Sequence, residues 1–400
     1  MMRKGFILNV IIAALLSVIT AEAESVQTDR YTAVSDSASS AMLTVRGSLT
    51  SSSDTIVVWL LTDEGGLMRV AATDTLNAGQ FAFSLNVPCE VRKYSLTTPD
   101  KHVKVDFYAA GGMEVSVRGR ADCLATWKVT SPAPEQRLEN ALREAAEPYE
   151  IQRETVLTDY YRLGDKLKNG ENIDREQMKM LKAQLDTLQA QTFSCEMGVL
   201  EQWPINEQWL KKLSSIAAYC EILPTLMDRP RAINLYNRLS DEQKASDLGQ
   251  RMLWALYPEN KVKEGMKSPD GNFISPDGKQ HKLAEFRGKY VLVDFWFNGC
   301  MPCRLSIPEL GEVSNQYKGR LEVVSLSLDA MKVWADATGE HPITWNNWND
   351  KKGRNGLYAK YPAQGVPFYV LLSPDGTVIA MQAGYAKGEI KKLLKKHLGD

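Results

Sequence analysis

The run Lys289-Tyr290-Val291-Leu292-Val293-Asp294 is apolar and β-branched, and Phe295-Trp296-Phe297-Asn298-Gly299-Cys300-Met301-Pro302-Cys303-Arg304 follows it directly. The first part reads as a buried parallel strand, whereas from Leu305 to Tyr317 the apolar residues recur at helical spacing. Two cysteines therefore stand where a buried strand turns into a helix.

A helix N-terminus offers unpaired N–H groups and the positive end of the macrodipole, which favours thiolate over thiol at Cys300. Cys300 is the expected nucleophile. Two intervening residues place Cys303 one turn further in, within reach of a mixed disulfide on Cys300, and Pro302 is tolerated in a first turn where its missing N–H costs nothing. Cys303 is the expected resolving thiol. Zinc sites share the C-x-x-C spacing but need a second pair of ligands, and His281 and His341 come singly. A purely structural bridge is the other competing reading.

Val293-Asp294-Phe295-Trp296 leading into C-x-P-C resembles the active-site region of thioredoxins. Gln364-Gly365-Val366-Pro367 resembles the loop that carries the cis-proline of that family, and Gly384-Tyr385-Ala386-Lys387-Gly388-Glu389-Ile390 resembles its last strand-to-helix join. A hairpin around Pro276-Asp277-Gly278, followed by Phe286-Arg287-Gly288-Lys289, is similar to the entry of the exported TlpA-like and ResA-like members of the AhpC/TSA-redoxin superfamily. Those families mostly reduce disulfides outside the cytoplasm, in cell redox homeostasis, and some serve cytochrome c maturation.

Export is also written at the other end of the chain. Residues 1–23 begin with Arg3 and Lys4, continue through an apolar core from Phe6 to Ile19 and end Ala21-Glu22-Ala23, the pattern of a secretory signal peptide. A membrane anchor is the weaker reading because the apolar core is short for a bilayer. No cysteine near the cut suggests a lipoprotein. The mature chain is expected to be soluble and periplasmic, associated with the membrane only through a partner. A formal net charge of −1 gives no field for nucleic acid. In an oxidising compartment the other four cysteines could bridge, and pairing Cys89 with Cys123 and Cys195 with Cys220 is the simplest assignment, with free buried thiols as the alternative.

With 400 residues the chain is expected to hold several domains. Residues 24–41 are polar and Ser-rich, a flexible linker. Residues 42–131 alternate apolar and polar between Gly-rich breakers and read as a sandwich-like antiparallel β domain, which resembles the N-terminal β domain of exported Bacteroidetes proteins. Residues 132–260 switch to helical period, with breaks expected at Gly164, Gly170, Pro204, Pro224 and Pro230. Residues 268–400 complete an α/β thioredoxin fold by resemblance, with a strand at Leu321 to Leu328, a helix at Ala330 to Thr338, a hairpin from Phe368 to Met381 and a helix at Lys387 to Leu398.

Asp294 lies six residues before Cys300 on the buried strand. A carboxylate desolvated there would have a raised pKa and could act through water as the base for Cys303. The family carries an acid at this position, often with a lysine nearby, where this chain has Ser325. ResA-like proteins often carry a glutamate where this chain has Ser306, which leaves the base role to Asp294 and makes Glu309 a helix-surface residue. The resemblance implies substrate contacts at Val366 and Pro367, the latter in cis, and at Trp296, Gly299, Met301 and Pro302, with Gly299 opening the surface beside Cys300. It implies no cofactor and no metal. The partners implied are disulfide-bearing protein substrates and a membrane thiol-reductant transporter as electron donor.

The reading is thus an exported thiol-disulfide oxidoreductase that reduces periplasmic proteins. A disulfide oxidant or isomerase is one alternative. A binding or assembly factor with a vestigial thioredoxin domain is another.

Overall fold

The computed structural model describes residues 39–51, 55–64, 67–99, 102–341 and 343–399. The expected signal peptide and most of the linker lie outside the described residues; the first strand already begins at Ser40. The chain divides into two compact units, with the boundary between Leu239 and Ser240.

The first unit opens with two four-stranded sheets. β1 (Ser40–Thr50), β4 (Gln80–Pro88), β7 (Glu114–Arg120) and β8 (Cys123–Thr130) form one in the order β4-β1-β7-β8, and β2 (Val57–Glu64), β3 (Leu67–Thr75), β5 (Arg92–Thr97) and β6 (Val105–Ala109) form the other in the order β3-β2-β5-β6. Alternation along each strand sends Val45, Phe83, Val117 and Trp127 from one sheet and Leu60, Leu96 and Phe107 from the other into a single core. The expected antiparallel pairing holds except between β1 and β7, which run parallel. Parallel neighbours need a crossover, and the passage of the chain through the opposite sheet supplies it.

Four helices complete this unit: α1 (Gln136–Lys168), α2 (Arg175–Gln202), α3 (Glu207–Ile222) and α4 (Arg229–Asn237). The first of them, α1, is docked on the sheets by buried polar bonds. Glu154 of α1 accepts the backbone N–H groups of Leu124 and Ala125 at 3.1 and 2.9 Å. Gly164 does not break α1: a glycine inside a helix costs only about 1 kcal/mol, and here it is buried within reach of Met178. The helix ends instead at Lys168, just before Gly170 at φ 77°. Cys89, Cys123, Cys195 and Cys220 are all free thiols, so neither of the pairings Cys89 with Cys123 and Cys195 with Cys220 forms. Cys123 instead lies 3.5 Å from the Glu154 carboxylate, and Cys220 fills the core face of α3.

The second unit begins with α5 (Asp241–Ala245) and α6 (Asp247–Leu256), which periodicity alone groups with the preceding helices. Its sheet runs β10-β9-β13-β12-β11-β14-β15, built from β9 (Phe273–Ile274), β10 (Gln280–His281), β11 (Tyr290–Trp296), β12 (Leu321–Ser327), β13 (Asn346–Asn349), β14 (Phe368–Leu372) and β15 (Val378–Ala383). β11 lies parallel to β12 and antiparallel to β14, near the middle of the sheet. Its alternate residues feed two cores: Leu292 packs with helices α7 (Met301–Gln316) and α9 (Glu389–Leu398), while Val291, Val293 and Phe295 pack with Tyr358 and Tyr361. The remaining helix is α8 (Met331–Glu340).

β13 has no apolar pattern to announce it. Its asparagines sit inside because they are bonded there, Asn347 accepting from Trp334 Nε1 at 3.1 Å and Asn349 donating to the Asp329 carbonyl at 2.9 Å.

Candidate functional site

β11 delivers the chain to its end at Trp296, and the next turn places Cys300 as the N-cap of α7. Cys300 and Cys303 are joined as a disulfide, and Cys300 Sγ accepts the Cys303 backbone N–H at 3.2 Å. The helix thus aims an unpaired N–H at the sulfur that would carry negative charge after reduction. Pro302 occupies the first turn without sacrificing a helical bond.

Both sulfurs are nearly covered, Cys300 3% and Cys303 2% exposed. Val366-Pro367 is cis, and the Val366 carbonyl oxygen lies 3.6 Å from Cys300 Sγ. The oxidised sulfur has no proton to share with that oxygen. Once reduced, the thiol can donate to it. Trp296, Trp334 and Ala337 pack around the pair from within. Trp296 is 1% exposed and packs against the cysteines beneath the surface. Met301, by contrast, is 59% exposed, and Gly299 is open to solvent.

Behind the disulfide lies a buried polar row. Asp294 is 3% exposed; its Oδ2 accepts from Ser325 Oγ at 2.9 Å, and its Oδ1 has no partner among the described residues. Burial pushes its carboxyl up to about 7, against the opposing effect of the Ser325 bond. Ser325 in turn accepts from Trp345 Nε1 at 3.0 Å, so a neutral chain occupies the place where the resemblance implied a cation. Tyr369 stands opposite Asp294 across the β11–β14 pair, and its phenol is raised first by burial and then by the Asp294 charge. Ser306 is fully buried and donates to the Cys303 carbonyl at 2.7 Å.

Glu309 is not a helix-surface residue. It is 5% exposed and accepts from Tyr385 Oη at 3.0 Å, Gly388 N at 2.8 Å and Lys391 N at 3.0 Å. Its carboxylate therefore caps the start of α9 from another helix, which is why it is buried.

The approach to Cys300 is braced by a further set of contacts, some made by residues the sequence did not single out. Asp329 Oδ2 accepts the Asn298 backbone N–H at 2.8 Å and the Ser327 hydroxyl at 2.9 Å, and Asn298 Oδ1 lies 3.0 Å from His341 Nε2. The Phe297 ring folds back so that a Cβ on Gly299 would meet its Cε2 at 2.9 Å. Arg354 lies over both Phe297 and Tyr358, at 5.9 and 5.8 Å from the ring centroids. No local signal marks Arg354, since its position beside Phe297 depends on a loop far along the chain.

Among the described residues there is no His, Cys, Asp or Glu group arranged to hold a metal, and no helix is long and apolar enough to cross a membrane. The chemistry available is that of sulfur. A dithiol here can exchange with a disulfide at Cys300, and a buried acid stands behind it with an affinity for protons near neutrality.

Residues 288–378 match the family model described as thioredoxin-like. The thioredoxin-like protein YneN of Bacillus subtilis is 27% identical over 143 residues, covering 33% of this chain and 81% of that protein. The thiol-disulfide oxidoreductase ResA of Bacillus thuringiensis is 29% identical over 143 residues, covering 34% and 80%. Among solved structures, a putative thiol:disulfide interchange protein DsbE from Chlorobium tepidum aligns at 28% identity and TM-score 0.32, over 34% of this chain and 97% of its own. The thioredoxin domain of a thiol-disulfide oxidoreductase from Bacteroides vulgatus aligns at 29% and 0.31, over 33% and 99%.

Proposed function

We propose that this chain, whose C-terminal third is a thioredoxin-like thiol-disulfide oxidoreductase domain, acts outside the cytoplasm as a reductant of protein disulfides. The Cys300 thiolate attacks one sulfur of a substrate disulfide, forms a mixed disulfide and expels the other substrate sulfur as a thiolate. Cys303, deprotonated with the help of Asp294 through water, then attacks Cys300 Sγ and releases the second substrate sulfur. Two electrons pass to the substrate, both of its sulfurs leave as thiols, and Cys300 and Cys303 end as the disulfide. An external dithiol must then reduce the pair, the role in which we place a membrane thiol-reductant transporter.

The observation that carries this reading is the placement of a Cys300–Cys303 disulfide at the first turn of α7 with the buried Asp294 on the strand before it. The leader-like residues 1–23 support the extracytoplasmic setting, and exposed Met301 beside covered sulfurs suits a protein substrate that must be docked before it reacts. The direction of electron flow is tested by the equilibrium reduction potential of the pair, with Cys89, Cys123, Cys195 and Cys220 replaced. A value near that of thioredoxin, about −270 mV, agrees with a reductant; one near about −120 mV makes the protein an oxidant.

A further inference from the structure

The rim of the disulfide is positively charged, and one of its cations is held ready without a partner. Arg354 is exposed, yet its guanidinium is not free to wander, because it lies over the faces of both Phe297 and Tyr358. The loop that carries it is built around a buried carboxylate. Asp350 accepts the backbone N–H groups of Lys352 at 2.9 Å, Gly353 at 3.1 Å and Leu357 at 2.9 Å. Gly356 has no room for a side chain, since a Cβ there would meet Asp350 Oδ2 at 1.8 Å.

The neighbouring cation, Lys352, is already paired with Asp247 at 2.5 Å. Arg354 is different. Among the described residues no carboxylate reaches it within ion-pair distance and no acceptor takes its N–H groups. Asp329, whose Oδ2 accepts from Asn298 of the Cys300 loop, is engaged there and with the Ser327 hydroxyl. Between Phe295 and Pro308 the sequence contains no acid, and Arg304 is exposed on the first turn of α7.

A guanidinium fixed on a ring that touches the residue before the nucleophile can donate two N–H groups to a carboxylate of a docked polypeptide in a forked pair. We propose that Arg354 selects substrates that carry an Asp or Glu side chain close to the disulfide to be reduced. Phe297 serves as its platform, and exposed Gly299 puts no side chain in the way of that acidic segment. The proposal rests on the thiol-disulfide exchange reading above and names the substrate class for it.

The test uses the full chain in its reduced form and three peptides with an internal disulfide, identical except for Asp, Asn or Lys beside one cysteine. We expect the Asp peptide to exceed the Asn peptide roughly two- to fivefold in kcat/KM at low ionic strength, mainly through KM, and the gap to close at about 0.5 M salt. R354A brings the Asp-to-Asn ratio close to one, and R354E makes Lys the preferred neighbour. Equal rates for the three peptides with the unaltered chain overturn the proposal. So does a preference that survives in R354A and disappears in R304A, since it then belongs to the other arginine. Exchange with none of the peptides overturns the oxidoreductase reading itself, and this proposal with it.

Discussion

Ser325 donates its hydroxyl to one oxygen of Asp294 at 2.9 Å, and the other oxygen of that carboxylate has no partner among the described residues. A single neutral donor does not offset complete desolvation, so the acid holds its proton to about pH 7. In the unfolded chain the same group would ionise near its ordinary value of 3.8. The folded state therefore binds this proton more tightly than the unfolded state, and stability falls as pH rises from about 4 to about 7. At about 1.4 kcal/mol per pH unit, the rise from 3.8 to about 7 corresponds to a loss on the order of 4 kcal/mol, complete above pH 7. D294N cannot ionise and should escape that loss. Urea midpoints of the oxidised protein should show D294N well above the unaltered chain at about pH 8 and level with it at about pH 4. The same difference at both pH values would mean that Asp294 is ionised in the folded protein at low pH.

The second prediction concerns the donor. The Ser325 bond favours the charged form of Asp294, and Trp345 steadies that hydroxyl from the other side at 3.0 Å. S325A removes the bond without removing the acid. The pH-rate profile of disulfide exchange should then move to higher pH, by about one unit if the bond is at the low end of those made to charged groups. An unmoved profile in S325A, alongside an altered one in D294N, would show that Ser325 plays no part in setting the proton affinity of the acid.

The trap experiment separates the two sulfurs. Cys300 faces the Val366 carbonyl at 3.6 Å, while Cys303 lies inside the first turn of α7 at 2% exposure. C300S should reduce exchange to background. C303S should still attack and then stall, accumulating mixed disulfides visible on a non-reducing gel and released by added dithiol. Mixed disulfides accumulating in C300S instead would reverse the assigned roles.

What could be read from the sequence is what local chemistry fixes. The Cys300/Cys303 spacing, the apolar run of β11 and the helical period of α7 are each local, none longer than 16 residues, so strand, turn and helix were legible together with the sulfurs between them. The role of Glu309 was not, because its burial is decided by α9, a helix formed some eighty residues later that needs its first N–H groups capped. β13 escaped for a related reason: Asn347 and Asn349 are polar, and only partners elsewhere in the fold make them interior residues. Arg354 likewise has no pattern of its own. Its meaning comes from the ring of Phe297, which the fold brings beneath it.

Glu309 supplies the last prediction. Its carboxylate receives the Tyr385 hydroxyl, the Gly388 N–H and the Lys391 N–H, all within 2.8–3.0 Å, and Gly388 itself offers no side-chain cap to α9. Removing the acid strands three donors at a covered junction, each worth roughly 1–3 kcal/mol when left unmade, although water admitted to the gap recovers part of the loss. E309A should therefore destabilise the C-terminal unit by about 2–4 kcal/mol. E309Q keeps one acceptor oxygen and should cost about half as much. Because α9 packs Ile390 and Leu394 against Leu292 of β11, the effect should also appear as faster amide exchange along α9 and then along β11, with the Cys300/Cys303 potential little changed. If E309A leaves exchange in α9 at its original rate, the carboxylate is not what holds that helix to the sheet.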